Sequence, residues 1–169
     1  WQDGSVLYEG EFNRAIKNRV LERLHFLGIP YFDLVPEQHD MSRPTRISKA
    51  NQFNRKENYK TFLIDIHSNA GGGEGCEVFI AKEASSTSKV LASWTEVLFK
   101  KHFPESKWRG IKQKNFDMVA DTNMPAILIE CFFMDNETEC KKYLMTREGR
   151  DRIADWIVDI IVNYLKNHS

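Results

Sequence analysis

The chain has 169 residues, of which 41% are hydrophobic, and this length and composition suit one domain with a sizeable core. Its 24 basic and 24 acidic side chains leave no net charge, so nothing points to a nucleic acid or an anionic membrane as partner. The cysteines, Cys76, Cys131 and Cys140, lack the paired spacing of a structural zinc site, and their odd number predicts at least one free thiol. No apolar run is long enough to predict a membrane span, and the first residues do not resemble a signal peptide.

The first half of the chain alternates between helical and strand patterns. Apolar residues over 11–27 recur at helical spacing, and Gly28 follows where a glycine commonly ends a helix. The stretch IPYFDLV, residues 29–35, predicts a short strand, and a polar helix entered through a proline is predicted over residues 43–57. The stretch TFLIDI, residues 61–66, is almost continuously apolar, which is typical of a strand buried on both faces.

The second half continues the same alternation. The stretch CEVFIA, residues 76–81, predicts a strand, and an amphipathic helix is predicted around residues 90–98. FDMVA, residues 116–120, is a weaker strand prediction, and PAILIE, residues 125–130, is a stronger one. The last apolar stripe begins near Thr146, which is a suitable N-cap, and it predicts a C-terminal helix.

Strands and helices therefore alternate without repeats, low-complexity stretches or a linker. This pattern predicts a single α/β domain over residues 1–169, with a mainly parallel twisted sheet flanked by helices on both faces. Ligand-binding groups of such sheets gather at the carboxyl ends of the strands. His67 follows TFLIDI, Glu130 ends AILIE and Glu9 lies just before the first helix. We expect these three side chains to converge on one edge of the sheet.

The chemistry of these three residues favours a hydrolytic metal site. A carboxylate at the end of a buried strand, as at Glu130, is costly without a partner, and no lysine or arginine adjoins it in sequence. A histidine and a glutamate on different elements suit zinc, whose catalytic sites often mix nitrogen and oxygen donors. A second glutamate that does not bind the metal can move a proton from water to a leaving amine. The set predicts hydrolysis of an amide.

Each residue also has a purely structural interpretation. His67 alone is equally compatible with a core or capping histidine, and Glu9 alone with a carboxylate that the helix dipole favours. The glycines within residues 71–75 make only a weak phosphate-binding pattern, because no Lys-Ser or Lys-Thr follows and a strand comes next. Among the other histidines, only His39 is kept as a reserve ligand.

Four stretches carry a more specific pattern. They are EGEFNRAI at 9–16, SRPTRISKAN at 42–51, DIHSN at 65–69 and MPAILIECFFMDN at 124–136. In order, they are similar to an E-x-x-x-N helix start, an L-x-x-R-x-x-x-A-N helix, an S-I-H-x-N strand end and a P-A-x-L-x-E-x-x-F-x-x-N segment. Together they resemble the Amidase_3 family of zinc-dependent N-acetylmuramoyl-L-alanine amidases, which cut between the lactyl group of muramic acid and the stem peptide of peptidoglycan.

This resemblance implies a role for each matching residue. It assigns Glu9 and His67 to one zinc ion, Glu130 to catalysis and Asn69 to substrate binding. It also implies peptidoglycan as the partner, and a place of action in the bacterial wall, the periplasm or outside the cell, including that of a phage lysin. The oligomeric state stays open.

The chain departs from the family pattern in two places. The family begins with a strand and a G-H-G type turn whose histidine is the first zinc ligand, and nothing before Trp1 supplies it. We therefore expect this chain to lack the first strand and to bind zinc weakly or not at all. Where the family often carries an arginine before P-A-x-L, this chain has Ala120 and Asp121, so substrate contacts there are expected to differ. Cys76 and Cys131 adjoin the proposed site, but their apolar neighbours favour ordinary buried thiols.

Two other functions remain open at this point. A zinc peptidase or carboxypeptidase of related fold would keep the chemistry and recognise a free carboxylate. A non-catalytic wall-binding or regulatory module would keep the fold and lose the metal. The missing histidine favours this module, whereas the presence of Glu9, His67 and Glu130 favours the amidase.

Overall fold

A computed structural model describes residues 4–36, 41–58 and 60–168, in which helices and strands alternate along most of the chain. The helices are α1 (Glu9–Phe26), α2 (Arg43–Lys56), α3 (Ser86–His102), α4 (Asp117–Ala120), α5 (Glu137–Glu139) and α6 (Arg147–His168), and a π-helical turn at Cys140–Leu144 precedes α6. The strands are β1 (Leu63–Asn69), β2 (Cys76–Ile80), β3 (Trp108–Gln113) and β4 (Ala126–Phe133).

The four strands form one sheet in the order β1-β4-β2-β3. The pairs β1–β4 and β2–β3 are parallel, whereas β2 and β4 run antiparallel. The predicted single α/β domain with a mainly parallel sheet is therefore confirmed, with one antiparallel pair at its centre. Every residue of the central strand β4 is buried except Glu130, which is partly exposed.

Helices cover both faces of the sheet, as predicted. On one face, alternate strand residues such as Val78, Ile127 and Ile129 join buried residues of α1, α3 and α6 in the main core. Each fully buried isoleucine or valine of this kind contributes roughly 1.5–3 kcal/mol. The other face carries a smaller cluster in which Val119 of α4 meets Ala126 and Leu128. The smaller cluster leaves part of this second face to polar side chains.

The predicted helix ends are largely confirmed. The apolar stripe of α1 is buried from Phe12 to Leu24, and Gly28 follows the helix with a φ of 67°. Leu27, which the stripe included, is 57% exposed, so the buried stripe ends with Leu24. Thr146 caps α6 as predicted, because its Oγ1 accepts a hydrogen bond of 3.0 Å from the Gly149 N–H.

The strand predicted at residues 29–35 is wrong. These residues form no strand in the structure, and Tyr31 and Phe32 are 45% and 40% exposed. Phe32 instead stacks on Phe53 of α2, with the ring centroids 4.0 Å apart. Pro30 also lacks the N–H that a ladder requires. The aromatic residues of this stretch pack on a helix and do not pair with a strand.

The strand predicted at residues 116–120 is also wrong. Residues Asp117–Ala120 form the short helix α4, and a single helical turn buries Met118 and Val119 together. Phe116, just before this turn, packs edge-on against Phe79 with centroids 5.0 Å apart. A turn of helix places these apolar side chains on one side, whereas a strand would divide them between two faces.

The sheet itself differs from the predictions at its two edges. The stretch TFLIDI does form most of β1, but β1 lies at one edge of the sheet that the described residues form, and its residues are partly exposed except for Ser68. Its predicted burial on both faces is therefore wrong. The opposite edge strand, β3, was not predicted. Its sequence WRGIKQ contains two cations and a glycine and shows no apolar alternation.

The expectations from composition agree with the described part of the chain. Cys76, Cys131 and Cys140 are buried free thiols, which confirms the prediction of at least one free cysteine. Among residues 4–36, 41–58 and 60–168, none of the helices combines the length and apolar character needed to cross a bilayer.

Candidate active site

His67 lies between two carboxylates near the carboxyl end of β1. Its Nδ1 is 3.0 Å from Glu9 Oε1, and its Nε2 is 3.3 Å from Asp65 Oδ2. Burial alone would lower the pKa of His67, but the hydrogen bonds to Asp65 and Glu9 and the charges of Asp65 and Glu130 outweigh this effect and raise the pKa to about 10. Without a metal ion, the imidazole therefore donates from both nitrogens, and a metal that binds Nδ1 must displace the proton there. We refer to Glu9, Asp65 and His67 as the histidine cluster.

The fold explains how these three residues meet. Asp65 and His67 are two residues apart on β1, so their side chains lie on the same face of the strand. Glu9 is the first residue of α1, and the apolar stripe of α1 packs this helix beside β1. The hydrogen bond from His67 is the main reason why the pKa of Glu9 is lowered despite partial burial. Glu9 is thus an anion held beside a cation.

Glu130 lies on β4 directly between two other charged residues of the sheet. It is opposite His67 in the register with β1 and opposite Glu77 in the register with β2. Its Oε2 is buried and has no hydrogen-bond partner in the described part of the chain. Burial raises the pKa of Glu130 to about 7, the positive charge of His67 opposes this, and the negative charge of Glu9 adds to it. A carboxyl group with this pKa can accept and return a proton near neutral pH.

A second charged group lies on the other side of Glu130. Glu77, whose side chain is 4% exposed, accepts hydrogen bonds at Oε2 from Arg109 Nε at 2.6 Å and from Lys112 Nζ at 2.5 Å. Burial raises the pKa of Glu77, but the bonds from Lys112 and Arg109 outweigh it, so the pKa is lowered. We refer to Glu77, Arg109 and Lys112 as the arginine cluster. Asn69, the predicted substrate-binding residue, donates from Nδ2 to Glu77 Oε1 at 2.9 Å.

The glycine loop after β1 has a structural explanation. The N–H groups of Gly71 and Gly72 donate to Asp135 Oδ2 at 2.7 and 2.8 Å. Gly73 lies against the ring of Phe133, and a Cβ at this position would overlap that ring. A carboxylate of the chain itself therefore fills the place that a phosphate would take, in agreement with the weakness of the phosphate-binding pattern.

The structure thus brings Glu9, His67 and Glu130 to one part of the sheet, with Asn69 beside them. It also adds charged residues that were missed. Asp65 could have been found from the two-residue period of a strand that ends near His67. Glu77 could have been found as a lone charge in the apolar strand CEVFI, the same signal that drew attention to Glu130.

The donor atoms of the histidine cluster match zinc in type. Glu9 and His67 offer an oxygen and a nitrogen 3.0 Å apart, and zinc binds both kinds of donor. Asp65 contacts the other ring nitrogen, as outer carboxylates do when they orient a metal-binding histidine. The buried Oε2 of Glu130, which lacks a partner among the described residues, leaves an acceptor for a bound group nearby. The residues present therefore fit two positions of a zinc site.

The remaining zinc positions are not found in the described part of the chain. Residues 4–36, 41–58 and 60–168 contain no group of three or more histidine, cysteine, aspartate or glutamate side chains placed to hold a metal ion. The reserve ligand His39 lies outside the described residues. Burial raises the pKa of the Cys76 and Cys131 thiols well above the ordinary value, which suits core residues better than ligands.

Known proteins share this fold and sequence pattern. An N-acetylmuramoyl-L-alanine amidase from Clostridium difficile 630 superposes with a TM-score of 0.87 and 26% identity, over 98% of this chain and 88% of that one. The uncharacterized protein YqiI of Bacillus subtilis is 26% identical over 164 residues, which cover 95% of this chain and 76% of that protein. The N-acetylmuramoyl-L-alanine amidase CwlM of Bacillus licheniformis is 36% identical over 83 residues, which cover 48% of this chain and 32% of that protein.

The family comparison covers almost the whole chain. The sequence profile of the Amidase_3 family, described as N-acetylmuramoyl-L-alanine amidase, matches residues 3–163. This range includes every residue of the histidine and arginine clusters as well as Glu130. The chain therefore belongs to the Amidase_3 family of N-acetylmuramoyl-L-alanine amidases.

Proposed function

We propose that the protein hydrolyses the amide bond between N-acetylmuramic acid and the L-alanine of the peptidoglycan stem peptide. The observation that carries this proposal is the environment of Glu130. Its carboxyl group lies between two charged clusters, has a buried oxygen without a partner in the described part of the chain and has a pKa raised to about 7. These properties suit a residue that accepts a proton and returns it during one reaction. Family membership supports the substrate.

We propose further that Glu9 and His67 hold one zinc ion together with at least one further donor. When bound, zinc supplies Lewis-acid chemistry, which polarises a carbonyl group and makes water more acidic. Catalytic zinc sites usually have three protein donors, and residues 4–36, 41–58 and 60–168 supply two, so we expect residues 1–169 by themselves to retain zinc weakly. A full equivalent of tightly held zinc in residues 1–169 would contradict this expectation and direct attention to His39.

The chain's own residues then divide the work. Glu130 takes a proton from the attacking water and gives it to the nitrogen of the leaving L-alanine, which would otherwise leave as an unstable anion. Asp65 orients the His67 ring through Nε2, so that Nδ1 faces Glu9. The side-chain amide of Asn69, which donates to Glu77 and accepts from the Ala70 N–H, keeps one N–H and one oxygen lone pair for the stem peptide. The substrate makes the bacterial cell wall the proposed place of action, whether for a cellular enzyme or a phage lysin.

The test is to identify the bond that is cut. Purified peptidoglycan sacculi are digested with the zinc-loaded full-length protein, which here means the whole product of its gene, and the amino groups released are identified by end-group labelling. The proposal predicts new amino-terminal L-alanine in the wild-type digest and none with Glu130→Gln. Release of carboxyl-terminal amino acids alone would indicate a carboxypeptidase. Binding to sacculi without soluble peptide would indicate a non-catalytic wall-binding module, and either result would contradict the proposal.

A further inference from the structure

A β-bulge in β3 places two cations on the same face of the sheet. In the register with β2, Cys76 is opposite Trp108 and Val78 is opposite Ile111, so β3 has one extra residue at this point. Gly110 lies in the bulge with a φ of 102°, a conformation that side-chain-bearing residues rarely adopt. In a regular strand, residues 109 and 112 would point to opposite faces. The bulge reverses the alternation after Gly110.

The consequence of this bulge is visible at Glu77. Arg109 and Lys112 both reach Glu77 Oε2, at 2.6 and 2.5 Å. Glu77 is opposite Glu130 in the antiparallel register, so the two cations lie on the face of the sheet that carries Glu130. Without the extra residue, Lys112 would point into the main core. The bulge therefore builds a paired cationic group beside the candidate active site.

A second bulge supports Arg109. In the register between β1 and β4, His67 is opposite Glu130 and Asn69 is opposite Phe133, so β4 has one extra residue at this point. Phe132 takes a φ of 58° there and turns into the main core. Phe133, the next residue, packs against Arg109, with the guanidinium carbon 4.8 Å from the ring centroid. The guanidinium is thus fixed from below by a ring and from the side by a carboxylate.

The charges of this group do not balance. One buried carboxylate, Glu77, accepts bonds from two basic side chains, a guanidinium and an ammonium group. Glu139 also lies within electrostatic reach of Arg109, but its oxygens accept the N–H groups of Gly75 and Phe133, and burial raises its pKa, which disfavours its charged form. The side chains of Arg109 and Lys112 remain 27% and 39% exposed, so a ligand can reach them.

We propose that Arg109 and Lys112 bind the carboxylate at the carboxyl end of the stem peptide and so position the peptide for cleavage at Glu130. This inference rests on the proposed function and assigns the substrate feature that this side of the site recognises. A fixed guanidinium beside an ammonium group suits a carboxylate, because both can donate charge-assisted hydrogen bonds to it. Glu77 and Phe133 act as positioning residues, since they hold the cations without contacting the peptide.

The test compares two soluble muropeptides that differ only in whether the carboxyl end of the peptide is free or amidated. For the zinc-loaded full-length enzyme, we expect a lower KM for the free acid than for the amide. Arg109→Gln and Lys112→Gln should each raise the KM for the acid about tenfold, because each loses a hydrogen bond to a charged group. The kcat values and the KM for the amide should change less than the KM for the acid, so the ratio of the two KM values should fall towards one.

Matched variants separate binding from folding. Lys107→Gln removes an exposed cation from the same edge of the sheet, where Lys107 pairs with Glu74, and its preference for the acid should equal that of the wild type. Arg109→Lys keeps the charge and should recover part of the preference if Arg109→Gln has lost it. The free energy of unfolding of each variant shows whether a loss reflects misfolding.

Failure of this inference can be distinguished from failure of the proposed function. If Arg109→Gln and Lys112→Gln cleave both muropeptides with the wild-type ratio of KM values, the inference is overturned and the amidase activity stands. If the wild type cleaves neither muropeptide, calorimetric titration with the same two molecules decides. If the wild type binds the acid more tightly than the amide and Arg109→Gln abolishes this difference, the inference is supported. If the wild type binds acid and amide equally, the inference is overturned.

Discussion

Two charged clusters flank Glu130, and they have opposite imbalances. In the histidine cluster, the carboxylates of Glu9 and Asp65 face one imidazole, whereas in the arginine cluster two cations face one carboxylate. An excess of carboxylate suits a metal cation, and an excess of positive charge suits an anionic group of a substrate. The sheet therefore presents a site polarised from β1 to β3, with Glu130, the proposed proton-transferring residue, in the middle.

The two clusters also differ in burial, and this difference determines whether a substitution in each cluster affects function or folding. The carboxylates of Glu9 and Asp65 are 39% and 19% exposed, whereas that of Glu77 is 4% exposed. Loss of a partner in the histidine cluster can be compensated by water, so we expect its variants to affect function more than folding. Loss of the buried carboxylate in the arginine cluster should affect folding as well.

The largest expected effect is at the residue between the clusters. Glu130→Gln should lower kcat by about 10²–10⁴-fold, since an amide cannot relay a proton. The free energy of unfolding should stay equal or rise, because the substitution removes a charge from a buried site. Hydrolysis of a soluble muropeptide and urea unfolding measure the two quantities. Glu96→Gln, which alters an exposed pair with Lys100 on α3, is the control, and a Glu130→Gln enzyme as fast as this control would contradict the mechanism.

Breaking the histidine cluster from its outer side should weaken metal binding. Asp65→Asn removes the charge behind the His67 ring, and such changes typically cost about 10–100-fold in metal affinity. Competition with a zinc chelator measures the affinity of the full-length protein. Asp33→Asn removes a carboxylate that pairs with Lys17 at 2.7 Å and serves as the control. Equal affinity in the two variants would mean that Asp65 does not orient a ligand.

Breaking the arginine cluster at its centre should lower stability. Glu77→Gln leaves Arg109 and Lys112 without their anion, but both are exposed enough to regain water, so we expect a loss of about 1–3 kcal/mol. Urea unfolding of the wild type and the variant measures this loss. Glu74→Gln, in an exposed pair with Lys107, should change stability by less than about 0.5 kcal/mol. If the two variants lose the same free energy, the buried carboxylate has no special structural role.

The smallest effect concerns Glu105, a carboxylate that belongs to neither cluster. The hydrogen bond from Arg152 is the main reason why its pKa falls from 4.5 to about 2. Because the folded-state pKa is depressed, the stabilisation is complete above about 4.5 and disappears as the pH falls towards about 2. The side chain is 38% exposed, so we expect less than about 1 kcal/mol.

Unfolding measured across this pH range checks the prediction. Glu105→Gln should lose less stability on acidification than the wild type, because it has no proton to take up at this position. Glu137→Gln, in an exposed pair with Lys141, should lose as much as the wild type. Equal losses in Glu105→Gln and the wild type would contradict the assignment of this acid-sensitive contribution.

The residues of the site could be predicted where a local pattern fixes their position. The sequence places Glu9 at a helix start and His67 and Glu130 at the ends of apolar strand patterns, and parallel strands would bring the three together. In the structure, β1 and β4 are parallel and His67 is opposite Glu130. The amphipathic stripe of α1 and the cap at Thr146 are similarly local. The roles of the three site residues remain predictions until they are measured.

The arginine cluster could not be predicted, because it depends on pairings between distant parts of the chain. The sequence WRGIKQ shows no alternation, since its bulge moves the register at Gly110. Only the pairing of β3 with β2 shows that Arg109 and Lys112 share a face with Glu77. The wrong strand predictions at residues 29–35 and 116–120 have a similar origin. In each stretch an aromatic ring packs against a ring on a distant element, and the local sequence does not show this contact.

The most direct test of the central claim is the zinc content of the full-length protein and of His67→Gln, by elemental analysis after zinc loading and gel filtration. The account predicts about one zinc per wild-type chain and a large loss in His67→Gln, because the histidine cluster would then lack its nitrogen donor. Equal zinc in the two proteins, or none in either, would mean that His67 is a structural histidine and that the site works without the metal proposed here.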